Sequence, residues 1–481
     1  MNSLSAKEKW AVFLVIFAVT IGYQLVLAVS LSPLATYEGC DSLVFKQMGL
    51  AMLQGKVPYI DLFDHKGPVL YLINAMCQGM IPGRWGLFLF YCLYMAATTY
   101  VWWLMASLIV KSRGVWWSVA LGLMSYMIVN SEGNLSEEWS LLPISYGLYV
   151  FVRHFVEGSK ISAMAFFLVG LGMGVVTFIR INNMAAVCCA ILVYTVYHLR
   201  QKTSVTPGCL LKSYLMMLLG WATVIAVCCL IFWGLYGQEG LSGLVYGTFT
   251  FNFEYMGAPI AVASDRKRAY LFFGLTTLLL MSWLFLKKRR EMLTVLIGAG
   301  YIGSFLAIGS KGWGNYFIIL APLTVAATAC LYGVTGRWQK ALLTLLFFAF
   351  VPFKFYMAYS SQDQDLPLYL GADKIIQDMP QEEQQRIWND ANFDGLAVLH
   401  RHGLTQVNRV VLYFQFFISE SLVASDQERF DRVKPAWIMT SVPLQEAMPI
   451  PLDSLRTIHD YTLKAEVGEK TGRRLFFYQA N

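Results

Sequence analysis

Apolar runs of bilayer-crossing length recur along this sequence and restrict the fold before any motif is considered. They fall at roughly 10–30, 86–110, 115–130, 139–156, 161–179, 184–199, 213–234, 269–286, 291–309, 315–334 and 341–358, eleven in all. A helix needs about 20 such residues to cross the hydrocarbon core. In that core only helices and closed barrels satisfy their own backbone. The runs predict an all-α polytopic membrane protein with about eleven transmembrane helices. Charge agrees: Asp, Glu, Lys and Arg are 14% of the 481 residues, against about 25% in soluble domains. A soluble globular protein, a disordered chain and a disulfide scaffold are excluded. Seven of the nine cysteines sit in apolar stretches and there is no CxxC, so no disulfide framework or structural zinc site is signalled. Basic residues are scattered in short loops, which predicts no nucleic-acid partner.

A further run at 68–82 (PVLYLINAMCQGMIP) is short for a span. Charge decides how to read it. Suppose it does not cross and the N-terminus, with Lys7 and Lys9, is cytoplasmic. The cytoplasmic loops then carry Lys111, Arg113, Arg153, Lys160, Arg200, Lys202, Lys212, the Lys287 to Arg290 run, Arg337 and Lys340, while the short opposite loops carry Arg180 and Lys311. Lys and Arg favour the cytoplasmic side. A crossing at 68–82 would reverse every later loop and violate that rule throughout. The run is therefore expected to be an interfacial or re-entrant helix on the outer face. The first span, long and without a small-residue cleavage site, reads as a retained anchor.

Three polar segments are then expected outside: 31–85, 235–268 and 359–481. The first two are loops. The last is long enough for its own core, with strand-like runs at 409–417, 436–442 and 474–479 and a helix-like stretch ADKIIQDMPQEEQQRIW between spans and strands. The expected domains are residues 1–358, transmembrane, and 359–481, a C-terminal extracytoplasmic α/β domain.

Residues 36–75 carry the most chemistry. A helix is predicted from Asp41 to about Leu53, with Val44, Phe45, Met48, Met52 and Leu53 on one face. Gly55 ends it and Pro58 follows. Asp41 sits at its start, where backbone N–H groups favour a carboxylate. It reads either as a helix cap or as a functional acid, with Glu38 just upstream. Asp61, Asp64 and His65 beside Lys66 fit two readings. They form a solvated turn, or they are oxygen and imidazole ligands for a divalent cation such as Mn, Mg or Zn, with Lys66 as a point charge for a phosphate. Glu132, Glu137 and Glu138 stand at the mouth of the fourth span, either as solvated caps or as parts of a site shared with the first loop. Arg180, at the outer end of the fifth span, is a snorkelling side chain or a functional charge at membrane depth. The aromatic segment LVYGTFTFNFEYM (244–256), which contains Tyr255, reads as an interfacial belt or a groove lining.

One span, a long outer loop opening with Asp41, Gly55 fourteen residues on, and HKGPVLYLINA (65–75) together resemble the GT-C superfamily of integral-membrane glycosyltransferases. Within it the chain is most similar to bacterial members related to protein O-mannosyltransferases and lipid A aminoarabinose transferases. The resemblance is architectural over 10–330 and motif-specific over 36–75. It implies a GT-C-like fold and transfer of a sugar from a polyprenyl-phosphate-linked donor to a lipid, glycan or protein acceptor on the extracytoplasmic side, with membrane lipids as further partners. It places the catalytic acid at Asp41, with Glu38 alongside. Lys66 matches a carrier-phosphate contact, His65 a position that helps bind a metal, and Glu137 and Glu138 a second acidic motif. Lys311 to Tyr316, followed by Pro322, is similar to a late Arg…His-Tyr…Pro element, with Asn315 where His is usual. Tyr59, Tyr255, Asn315 and Tyr316 are the expected substrate-lining residues. The implied location is a bacterial inner membrane, N-terminus cytoplasmic and C-terminal domain periplasmic.

The implied chemistry is inverting displacement at C1. Asp41 takes the acceptor proton, while Lys66, Arg180, the Arg266-Lys267-Arg268 group or a metal stabilises the leaving phosphate. Three alternatives stand beside it: a flippase or transporter of lipid-linked glycans, a surface-glycan polymerase or ligase, and a non-catalytic membrane scaffold, which would not need acid, imidazole and lysine clustered in 61–66. A transporter would carry broken helices and charges at mid-membrane. Here the charges lie at span ends, Lys354 excepted.

Overall fold

The computed structural model describes residues 5–36, 38–111, 113–129, 132–201, 206–257, 264–286, 291–309, 314–360, 366–412, 420–444, 460–468 and 472–481. In chain order the helices are α1 (Ala6–Leu27), α2 (Cys40–Leu53), α3 (Pro68–Met80), α4 (Arg84–Ile109), α5 (Arg113–Val129), α6 (Ser136–Glu157), α7 (Ala163–Arg180), α8 (Ala185–Arg200) and α9 (Pro207–Val245). They continue as α10 (Phe251–Gly257), α11 (Ser264–Leu286), α12 (Glu291–Ile308), α13 (Ala321–Tyr332), α14 (Arg337–Ser360), α15 (Leu366–Asp378), α16 (Gln381–Gln384), α17 (Asn392–Arg401) and α18 (Glu420–Val433). The strands are β1 (Ile387–Asp390), β2 (Trp437–Thr440), β3 (Tyr461–Gly468) and β4 (Arg474–Ala480).

Every one of the eleven apolar runs is helical. Among the described residues, seven continuous helical segments are long and apolar enough to cross a membrane. The two counts differ for local reasons. Residues Ala163–Arg200 hold two of the runs in one segment, α7 and α8, joined by a 3-10 turn at Ile181–Met184. Helix α5 has 17 residues, α6 carries Glu137 and Glu138 in its first turn and His154 in its last, and the apolar part of α11 among the described residues, Leu271–Ser282, is shorter than a span. The protein is a multi-pass membrane protein. Helix α3 has 13 residues, too few to span, as the charge argument requires.

The chain forms two compact units. The first comprises Met1–Ala28, Phe88–Cys228 and Ala261–Tyr359, the second Val29–Leu87, Cys229–Ile260 and Ser360–Asn481. The second takes in most of the three polar segments expected at 31–85, 235–268 and 359–481, while 261–268 groups with the first. In the first unit α5 packs on α13, α8 on α12 and α6 on α7. Helices approach closely where a side chain is missing: a Cβ at Gly170 would lie 1.9 Å from the Met217 carbonyl oxygen of α9, the small-residue contact expected of helices in lipid.

In the second unit the C-terminal sheet has the order β1-β2-β4-β3. Strands β1 and β2 are parallel, from Ile387 opposite Trp437 to Asp390 opposite Thr440, and the other pairings are antiparallel. A parallel pair needs a crossover, which α17 and α18 supply. Both parallel strands are buried throughout, as sheets covered on two faces are. The runs expected at 436–442 and 474–479 are strands. Of the run at 409–417, residues 413–417 lie outside the described residues, and Val410 bridges Phe63 of the first loop. The helix expected through 388 is broken at Pro380 and gives way to β1, because the sheet takes IWND as a buried strand.

Helix α2 starts and stops as its sequence predicts, with Gly55 at φ +79°. Its surroundings differ from the expected amphipathic pattern. Residues 42–49 are buried all round, while Leu53 is exposed. The polar side is covered because α17 packs on it: Gln47 Nε2 donates to the Leu396 and Leu404 carbonyls at 3.3 and 3.2 Å.

Tyr59 is fully buried and left-handed, at φ +69°. Gly247, in the π-helical turn Tyr246–Thr250, is pressed on its ring, and a Cβ there would meet Tyr59 Cδ1 at 2.2 Å. Gly247→Ala is expected to destabilise the protein by about 1–3 kcal/mol through overpacking. A thermal melt in nanodiscs reads this directly, and an unchanged midpoint would contradict the tight contact.

Candidate functional site

The first loop builds two charged arrangements within the second unit. The first precedes α2. Glu38 is buried, and its two oxygens take different cations: Lys46 Nζ at 2.7 Å and Arg84 Nη2 at 2.5 Å. Lys46, one and a half turns into α2 and also buried, donates to the Ser30 carbonyl as well. Arg84 caps the chain ahead of the helix through the carbonyls of Val29, Ser32 and Thr36. Burial alone would raise the Glu38 carboxyl pKa. The Lys46 ammonium and Arg84 guanidinium outweigh it and hold the group at about 2. Glu38 is thus an ionised anchor. It fixes the backbone that leads into α2, where Asp41 stands half-buried in the first turn. The helix N-terminus favours the charged form of Asp41.

The second arrangement follows Tyr59. Tyr71 donates to Asp64 Oδ2 at 2.8 Å, and His65 Nδ1 lies 3.3 Å from Asp64 Oδ1. Lys66 Nζ is 2.6 Å from His65 Nε2. An ammonium has donors only, so His65 accepts through Nε2 and carries its proton on Nδ1, toward Asp64. Burial raises the Asp64 pKa, but the hydrogen bond from His65, with the Lys66 charge and the Tyr71 hydroxyl, brings it below the usual carboxylate range. The result is a chain Tyr71–Asp64–His65–Lys66 that positions the lysine. Asn252 Nδ2 holds the His65 carbonyl at 2.8 Å.

Asp61 does not join this group. It accepts from the Val57 N–H at 2.8 Å and pairs with Arg429 at 3.3 Å. Among the described residues no three His, Cys, Asp or Glu side chains gather as metal ligands. Asp61, Asp64 and His65 therefore do not fit a divalent cation together: the Asp61 carboxylate faces Arg429, and His65 Nε2 already faces an ammonium.

In the first unit, four residues singled out in the sequence come together. Arg180, at the end of α7, pairs with Glu137, and its guanidinium lies 3.5 Å from the Tyr316 ring centroid. Asn315 Nδ2 approaches Glu137 Oε2 at 3.5 Å. The 3-10 stretch Gly314–Leu320 that carries Asn315 and Tyr316 packs on α6. Glu138 points elsewhere. It closes the α6 N-terminus on the Leu135 N–H and accepts from Tyr91 and Tyr126, with Gln24 donating to Tyr126. Tyr59 is buried beneath the loop, its hydroxyl on the Lys66 carbonyl at 2.8 Å. The Tyr255 side chain, those of Arg266, Lys267 and Arg268, and Lys311 lie outside the described residues. Lys46 and Arg84 went unrecognised in the sequence. The signal for Lys46 was a lysine inside the apolar string SLVFKQM.

No protein-family model matches the sequence, and no curated protein matches it. Solved structures do match in fold. ArnT from Cupriavidus metallidurans in the apo state is similar over 98% of this chain and 98% of its own, at TM-score 0.61 and 13% identity. The same protein bound to undecaprenyl phosphate gives 0.59 at 12% identity over the same shares. The archaeal oligosaccharyltransferase AglB from Archaeoglobus fulgidus, in complex with an inhibitory peptide and a dolichol-phosphate, gives 0.51 at 11% identity over 98% of this chain and 74% of its own. The fold is thus that of a GT-C polytopic membrane protein, the fold class of ArnT and AglB.

Two predictions follow from the Glu38 cluster. Lys46→Met leaves a buried carboxylate with one cation and should cost about 3–5 kcal/mol, read as a lowered thermal midpoint. The depressed Glu38 pKa gives stability that is complete above its ordinary value of 4.5 and is lost as pH falls toward about 2. Tryptophan fluorescence during acid titration should show this loss in the wild type and its absence in Glu38→Gln. Identical profiles would contradict the assignment.

Proposed function

We propose that this protein is a glycosyltransferase that moves a sugar from a polyprenyl-phosphate-linked donor to an acceptor on the extracytoplasmic side of a bacterial inner membrane. One observation carries the reading. The second unit holds a half-buried carboxylate at a helix N-terminus and an oriented lysine, in a chain that follows the ArnT fold almost end to end. ArnT is solved with undecaprenyl phosphate and AglB with dolichol-phosphate, the donor carrier class expected here. The acceptor is a lipid, glycan or protein hydroxyl. The positive-inside bias orients the N-terminus to the cytoplasm and the second unit outward.

In this mechanism Asp41 accepts the proton of the acceptor hydroxyl as its oxygen attacks C1 of the sugar. The bond from C1 to the phosphate oxygen breaks in line, so the anomeric centre inverts and the electron pair leaves on the carrier phosphate. Lys66, aimed by Asp64 and His65, neutralises the charge that grows there. In the first unit, Arg180 is held by Glu137 against Tyr316, with Asn315 on the same carboxylate. Glu38 positions the start of α2, and through it Asp41. The transporter reading is disfavoured, since the ionised clusters sit at helix ends and in the first loop.

Asp41→Asn is expected to lower turnover by about 10²–10⁴-fold with expression and carrier binding retained. Full turnover in the purified variant would remove Asp41 as the base. Lys66→Ala should weaken undecaprenyl phosphate binding by about tenfold or more, the effect of losing a charge-assisted contact, and unchanged affinity would reject that role.

A further inference from the structure

The second unit contains a pocket of about 510 Å³ that the transfer mechanism does not use. Its volume lies within the roughly 300–1,000 Å³ of small-molecule sites. One wall is the Glu38, Lys46 and Arg84 cluster, and the other comes from α15 and α17. It opens on the side of α2 that carries Lys46, about 140° round the helix from Asp41 at 100° per residue.

Its charges are already matched. Lys46 and Arg84 are committed to Glu38. Arg401 Nη2 and Nε bind Asp373 at 2.7 and 3.2 Å, and His402 Nε2 lies 3.0 Å from the same carboxylate. A phosphate would have to displace a buried carboxylate from its cation, which is costly. What remains is neutral hydrogen-bonding capacity of both signs. Gln377 lines the pocket one helical turn from Asp373 and has no side-chain partner among the described residues. Gln78 donates to the Lys46 and Asn74 carbonyls, which leaves its own amide oxygen to the pocket. His400 Nδ1 is buried with no hydrogen-bond partner. Burial pushes His400 down to about 4, so the ring is neutral at physiological pH. Gln377 is exposed and Gln78 half-buried, so both are open to a ligand, and one rich in hydroxyl groups, each both donor and acceptor, matches such a set.

We propose that this pocket is a saccharide-binding subsite that holds an uncharged pyranose unit of the glycan being transferred or extended, apart from the transfer centre. The proposal builds on the glycosyltransferase reading, but it is tested by binding rather than by turnover. Protein is placed in nanodiscs, because maltoside detergents would bring a competing sugar. Saturation-transfer NMR is then recorded with methyl α-D-glucopyranoside and methyl N-acetyl-β-D-glucosaminide, with inorganic phosphate as competitor. Wild type should saturate at least one glycoside, and phosphate should not displace it. Gln377→Ala should weaken binding about fivefold, the effect of one neutral hydrogen bond, and Gln377→Trp, which fills the pocket, should remove it. Asp41→Asn should bind the glycoside as the wild type does. Absence of saturation with both glycosides, equal signals in the Gln377 variants, or displacement by phosphate would each overturn the proposal. Retained turnover in Asp41→Asn would instead overturn the transfer mechanism and leave the binding result standing.

Discussion

The arrangement around Asp41 depends on one buried carboxylate shared by two cations. Glu38, Lys46 and Arg84 come from a loop, a helix and the start of the next long helix. Taking three charges out of water is expensive, and such a cluster adds little net stability compared with apolar packing. It does, however, permit one geometry. Arg84 gathers three carbonyls of 29–36, Glu38 is pinned between both cations, and the chain enters α2 in a fixed direction. The half-buried Asp41 inherits that direction. The second charged arrangement works by the same logic: Tyr71 holds Asp64 beside His65, and the Lys66 ammonium sets the His65 tautomer.

Much of the framework was legible in the sequence because the bilayer leaves few options. Each apolar run is a helix. The short 68–82 run became α3, and most of the three polar segments between and after the spans falls in one compact unit. The limits of α2 followed from Asp41, Gly55 and Pro58. What periodicity could not show was how α2 is covered. Lys46 and Gln47 looked like an outward polar face, yet both are buried, because their partners are Glu38, Ser30 and the carbonyls of Leu396 and Leu404. Half of those contacts span about 350 residues of sequence, beyond the reach of any local pattern.

The C-terminal segment shows the same division. Strands β2 and β4 were visible as apolar runs. Strand β1 was hidden at the end of a polar, helix-like stretch, and β3 alternates exposed and half-buried positions at the sheet edge, without a continuous apolar signal. The composition shift near residue 358 suggested a separate domain. The packing groups that segment with the first loop: Lys56 reaches the Gln406 carbonyl, Arg409 the Tyr59 carbonyl, and Phe63 bridges Val410. At the candidate site, Glu137, Arg180, Asn315 and Tyr316 were recognised one by one for different reasons and form a single cluster. Asp61 was grouped with Asp64 and His65 by proximity in sequence, and Arg429 draws it away.

Transfer by this mechanism requires that the head of an isoprenoid phosphate rest against residues 36–75. Photo-crosslinking with a diazirine-bearing undecaprenyl phosphate in nanodiscs, followed by peptide mapping, measures this most directly. Adducts within 36–75 that unlabelled undecaprenyl phosphate suppresses are the expected result. Labelling confined to other segments, or adducts that the unlabelled lipid does not suppress, would contradict it.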